Sequence, residues 1–210
     1  EEKSVDKGGH GEFKTKRMVL EAYDAMEYDI VKGRKFEPRW ETKNEEIHRL
    51  MSGENLHVEY KETLREVRGK GSPADVTKSF QKAVIGMANN EGGTVLVGIR
   101  ENEMGQGIPV GFDANLLKDS DSAQMTAIQL IETKSAYAAT LINPKVIEIE
   151  GIQILRIDIK PAKRPIYANL GDGSEQFYLR LSNKMADPER LTGRELADYL
   201  FHRFGIDARE

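Results

Sequence analysis

Three glutamates and a lysine are the residues of this sequence best placed to do chemistry. Glu59 and Lys61 fall two residues apart in Leu56-His57-Val58-Glu59-Tyr60-Lys61, where apolar and polar side chains alternate. In an extended chain they project from one face. A carboxylate beside an ammonium on a strand suits phosphodiester hydrolysis: the carboxylate holds Mg²⁺ or Mn²⁺ and the ammonium neutralises phosphate charge. Glu101 follows the run Thr94–Ile99, just past the carboxyl end of a strand, where sites in sheet proteins commonly open. Glu54 precedes Glu59 by five residues, an odd spacing that puts it on the opposite face of a regular strand. It joins the others only from the loop after Gly53. Each carboxylate alone reads as a solvated surface charge, so a metal site requires all three to converge.

A second set of residues suits phosphate and base contacts. Arg65, Arg68, Lys70, Arg100, Lys160, Lys163, Arg164, Arg180 and Lys184 join Lys61 as candidate cations, and 65–70 and 160–164 are locally basic. Tyr167 and Tyr178 lie close by in sequence as stacking surfaces. The competing reading is ordinary solvated Lys and Arg around a hairpin. His57, beside Glu59, reads as a structural hydrogen-bonder.

Several classes are excluded. The chain has no cysteine and four histidines, so thiolate zinc sites, disulfides and a cysteine nucleophile are impossible and any metal should be a hard, carboxylate-bound one. No P-loop or Gly-x-Gly-x-x-Gly pattern occurs; Asn90-Glu91-Gly92-Gly93 lies between a helix and a strand, the wrong order for a phosphate cradle. The net charge of −4 argues against a polybasic coat but leaves a local basic cleft open. The longest apolar run, Thr94–Ile99, falls far short of the ~20 residues that span a bilayer, and a cytoplasmic location is expected. A chain that begins at Glu1 is expected to be part of a longer polypeptide with further domains.

The elements that must hold these residues follow from periodicity. Phe13–Lys32 has helical spacing, and Thr42–Met51 reads as a second short helix; residues 1–50 look like an appended helical arm. Leu56–Lys61 reads as a strand, Ala74–Asn89 as a helix with Phe80, Val84 and Met87 inward, and Thr94–Ile99 as a central strand. Asn115–Thr140 is helical in pattern. Lys145–Glu150 and Ile152–Lys160 flank Glu150-Gly151 as an antiparallel hairpin. Ile166–Ala168 is a short extended piece, Phe177–Leu181 the last strand and Thr192–Phe204 a C-terminal helix. The expected class is α/β or α+β, a mixed sheet flanked by helices.

The string Glu54-Asn55-Leu56-His57-Val58-Glu59-Tyr60-Lys61, the helix ending at Asn89, the block Glu91–Ile99, and later Gly111, Pro165–Tyr167 and Phe177–Arg180 resemble the Schlafen AlbA-like domain, over 51–206. The resemblance implies a nucleic-acid-binding domain. In animal Schlafen proteins it implies a divalent-metal-dependent endoribonuclease acting on structured RNA such as tRNA, with the metal carboxylates falling on Glu54, Glu59 and Glu101. Glu101 departs from the family's Asp, and Asn55 and Tyr60 from its Ser and Phe. Since animal Schlafen cores contain two related lobes and this chain has one, a homodimer is expected. The alternative is a non-catalytic DNA- or RNA-binding or regulatory module.

Overall fold

The computed structural model of this 210-residue chain describes residues 43–64, 72–112, 119–171, 173–181 and 193–205. The chain divides into two compact units, Glu1–Arg49 and Leu50–Glu210. Of the first unit, the described residues hold only the opening turns of α1 (Lys43–Met51), which carries Glu45 and Glu46 in its first turn and His48 and Arg49 in its last, as the helix dipole favours. The helix expected over Phe13–Lys32 lies outside the described residues.

The second unit is built on a four-stranded sheet. β1 (Val58–Lys61) pairs in parallel with β2 (Gly93–Val97). The parallel step is bridged by α2 (Pro73–Asn89), which starts sharply because Ser72 and Asp75 form a capping box and Pro73 occupies the first turn. β3 (Ile99–Glu101) and β4 (Gly107–Pro109) form a separate antiparallel pair. Two helices follow, α3 (Ser120–Glu132) and α4 (Ala136–Ala139), and then the hairpin β5 (Ile142–Ile149) and β6 (Ile152–Ile159). Sheet order is β1-β2-β6-β5. β7 (Tyr167–Ala168) and β8 (Gln176–Phe177) form a second small ladder, and α5 (Gly193–Phe204) is the last described helix.

One sheet face supplies Val95, Val97, Leu155, Ile157 and Ile159 to the core, packed with Phe80, Val84 and Met87 of α2 and Ala127 and Ile131 of α3. Each fully buried aliphatic side chain contributes roughly 1.5–3 kcal/mol, so this face is the main source of stability. The β5–β6 turn has Glu150 at φ 53° and Gly151 at φ 79°, the paired positive values of a two-residue hairpin turn.

The structure corrects several expected boundaries. Thr94–Ile99 is not one strand: Gly98 turns at φ 94°, and a Cβ there would come within 2.8 Å of backbone atoms of Gly111 and Phe112, so the chain leaves the main sheet and enters the β3–β4 ladder. β1 starts at Val58, because Asn55 bridges back to Val58 and takes Leu56 and His57 into a turn. The helix expected over Asn115–Thr140 is broken, with α3 ending at Glu132 and Ser135 capping α4; residues 113–118 are not described. β5 begins three residues earlier than Lys145. Of Phe177–Leu181, only Phe177 is in a ladder.

Candidate functional site

β1 is an edge strand, and its outer side organises the acidic residues. The carbonyls of His57 and Lys61 accept from the N–H groups of Thr94 and Gly98, so the intervening Val58 and Tyr60 turn their backbone polar groups outward. Each has a partner there. Val58 exchanges hydrogen bonds with Asn55 at 3.0 and 3.3 Å, and Tyr60 N–H donates to Glu54 Oε1 at 2.7 Å. Glu54 does lie in the loop before the strand, as its odd spacing required. Burial pushes the Tyr60 phenol up to about 12; its hydroxyl donates to the Leu50 carbonyl at 2.6 Å.

Glu59 is 3% exposed and stands on the helix side of β1. Its Oε1 accepts from Lys61 Nζ and its Oε2 from Arg180 Nη1 at 2.6 Å. Arg180 also donates from Nη2 to the carbonyls of Asn55 and Val58 at 2.7 and 3.1 Å, and from Nε to Asn55 at 3.2 Å. It reaches this position because Gly86 of α2 lacks a side chain: a Cβ there would meet Arg180 N at 3.2 Å. The expectation that Arg180 and Tyr178 form a nucleic-acid surface is corrected, since they are 2% and 1% exposed. Arg180 seals the sheet edge instead.

The donor set does not fit a three-carboxylate metal centre. Carboxylates are the right chemistry for Mg²⁺ or Mn²⁺, yet both Glu59 oxygens are held by cationic side chains and one Glu54 oxygen by a backbone N–H. Among the described residues no three His, Asp or Glu side chains stand close enough to share a cation. Glu101, at the end of β3, is exposed. The three carboxylates still share a neighbourhood. Burial raises the Glu54 carboxyl above its ordinary range, the charges of Glu59 and Glu101 push the same way, and the Tyr60 N–H bond and Lys61 oppose them.

That direction has a measurable consequence. A carboxyl whose folded pKa is raised contributes stability below its unfolded pKa, and this is lost as pH rises through the folded value. Glu54→Gln keeps an acceptor for Tyr60 N–H and removes the charge. The variant is expected to melt higher than the native chain near pH 7, with the difference vanishing below about pH 4. A lower melting temperature at neutral pH would contradict this electrostatic account.

The basic and aromatic residues gather elsewhere. Ile159 pairs with Gly93 and Ala162 N–H donates to the Ala88 carbonyl, so 160–167 leaves the sheet at the amino end of β2. Lys61 pairs with Val97 at the carboxyl end, and Glu101 follows beyond it. The acidic residues and the described basic segment 160–167 therefore lie toward opposite ends of β2. Lys160, Lys163, Arg164 and Tyr167 are exposed. Arg164 stacks 4.5 Å over the Tyr137 ring, and Tyr167 lies 5.6 Å from Phe177. Arg100 is paired with Glu62 at 2.8 and 3.1 Å, apart from this segment. Arg65, Arg68 and Lys70 lie outside the described residues. His57 bridges toward Glu91 at 3.6 Å and the Gly92 carbonyl at 3.3 Å, as a structural residue does.

Two residues to which the sequence reasoning gave no site role hold the basic segment in place. Asn89 is fully buried; its side-chain amide donates to the carbonyls of Ile166 and Tyr178 at 2.9 and 2.8 Å and accepts from Ile166 N–H at 2.8 Å. Arg203 donates to the carbonyls of Asn90 and Ala162 at 2.7 and 3.1 Å. A buried Asn closing a helix is the only sequence signal for either.

A mixed sheet with a parallel β1–β2 step, a sealed β1 edge and the block Glu91–Val97 running from α2 into β2 defines an AlbA-like α+β core. The chain belongs to the Schlafen, AlbA_2 family, whose profile matches residues 54–186. It is similar at 19% identity to the crystal structure of the DIP2311 protein of Corynebacterium diphtheriae, with 80% of this chain and 29% of that one covered and a TM-score of 0.41. It is also similar at 20% identity to the solution structure of the N-terminal domain of a RecG-related protein from Nitrosomonas europaea, with 60% and 76% covered and a TM-score of 0.37. The chain spans less than a third of the Corynebacterium protein's length. No curated protein matches it significantly. Among the described residues, no helix is long and apolar enough to cross a membrane.

Proposed function

We propose that this Schlafen, AlbA_2 domain binds nucleic acid through the segment Lys160–Tyr167 and holds it without cutting it. One observation carries the reading: Lys160, Lys163 and Arg164 expose three cations within five residues, and among the described residues no acidic side chain is paired with any of them. Each phosphate such a cation neutralises releases condensed counterions, so affinity is local, salt-dependent and compatible with a net charge of −4. Tyr167 beside them offers a ring face to a base.

Incubating the chain with tRNA, single-stranded RNA and duplex DNA, with Mn²⁺ or with chelator, tests this directly. Binding that survives chelator, with no cleavage, is expected. The double variant Lys163→Glu and Arg164→Glu is expected to weaken binding at least about tenfold and to flatten the log–log salt slope by about two. Unchanged affinity in that variant would sink the assignment of the surface.

A second reading is a Mg²⁺- or Mn²⁺-dependent endoribonuclease acting on structured RNA. The observation favouring it is that Glu54 feels the charges of both Glu59 and Glu101. It requires Glu59 to leave one of its cationic partners. Mn²⁺-dependent cleavage that disappears in Glu101→Gln would establish this reading in place of the first.

A further inference from the structure

A pocket opens beside the basic segment, between the end of α2 and α5, lined by Asn90, Glu91, Pro161, Tyr199, His202 and Arg203. We infer that it receives an unpaired nucleobase, and that the domain consequently prefers single strands to duplex. The inference rests on the nucleic-acid reading and narrows it.

The aromatic ring of Tyr199 gives the pocket a face on which a base stacks, and the pyrrolidine of Pro161 adds apolar lining. Tyr199 is held in place, its hydroxyl donating to the Asn89 carbonyl at 2.9 Å. The Arg203 guanidinium lies 4.8 Å over Phe204 and is pinned to two backbone carbonyls, which fixes a positive charge in the pocket wall. Glu91, 69% exposed at its side chain, repels phosphate but accepts from an exocyclic amine on a base edge. Its presence favours the base over the backbone as the group that enters.

The pocket is continuous with a second stacking surface. Tyr199 lies 5.9 Å from Phe177, and Phe177 lies 5.6 Å from Tyr167, which is 41% exposed. A strand laid along Lys160–Arg164 by its phosphates thus meets one exposed ring at Tyr167 and one recessed ring at Tyr199. In a duplex the bases are stacked on their neighbours and cannot turn into a recess without the cost of unstacking.

The test uses a short oligonucleotide, as RNA and as DNA, carrying one 2-aminopurine, and the same sequence annealed to its complement. Single strands are expected to bind the native chain about tenfold more tightly than duplex, with 2-aminopurine fluorescence quenched on binding, the size set by one or two stacked bases. Tyr199→Leu, checked by thermal melting, is expected to reduce the preference below about threefold and to remove most of the quenching. Equal or tighter duplex binding by the native chain overturns the inference, whatever the variant does, as does full quenching in a folded Tyr199→Leu chain. Binding to neither form would instead overturn the nucleic-acid reading, and the inference with it.

Discussion

Arg180→Ala is expected to cost about 3–5 kcal/mol of unfolding free energy, read as a fall in the urea midpoint with the slope unchanged. The guanidinium side chain is fully buried and serves three groups at once: the Glu59 carboxylate and the carbonyls of Asn55 and Val58. Truncation leaves a buried carboxylate with Lys61 as its one remaining ion-pair partner among the described residues, and removes the charged donor from the Asn55 and Val58 carbonyls, which keep only the backbone hydrogen bonds between those two residues. Replacing both members of the pair, as Arg180→Met with Glu59→Leu, is expected to recover part of the loss, because an apolar pair leaves no uncompensated charge. A nucleic-acid-contacting arginine would behave in the opposite way, lowering affinity and sparing stability. A loss below about 1 kcal/mol for Arg180→Ala would show that the residue is a surface cation after all.

Asn89→Asp is the second large effect, expected at about 3 kcal/mol or more at neutral pH. The change keeps the shape and the acceptor for Ile166 N–H but turns the donor that serves Ile166 and Tyr178 carbonyls into a carboxylate oxygen facing both. Burial and two carbonyl dipoles raise the pKa of such a carboxyl. Its destabilisation is therefore smallest at low pH, where the acid regains one O–H donor, and grows as pH rises through the folded value. Thermal melts from about pH 4 to 7 read this directly, and a pH-independent loss would exclude the carbonyl–carboxylate clash as its cause. Since Asn89 ties Ile166 and Tyr178 to the end of α2, affinity for nucleic acid should fall in the same variant at temperatures where it is still folded.

How much of this was readable beforehand depends on how local each feature is. The alternation around Glu59 and Lys61, the hairpin turn at Glu150-Gly151 and the helical face of Phe80, Val84 and Met87 depend on neighbours two to four residues away, and periodicity finds them. Glu54 could be placed in a loop because its spacing is wrong for a strand. The break at Gly98 was hidden in a β-branched run, since the reason for it is the approach of Gly111 and Phe112. Arg180 read as a surface cation because nothing near it in sequence announces Glu59. The separation of acidic from basic residues likewise depends on which end of β2 each connection leaves, a property of topology rather than of any motif.

The Arg180–Glu59 pair also bears on how the chain assembles. Its members are 121 residues apart in sequence, so closing that span costs ~2 kcal/mol more chain entropy than closing one a tenth as long. Contacts of such separation slow folding relative to local ones. Until that contact is made, the backbone of β1 is an open edge able to pair with a foreign strand. The residue that completes the native structure is thus also the one that ends the interval during which the nascent sheet is vulnerable to misassociation.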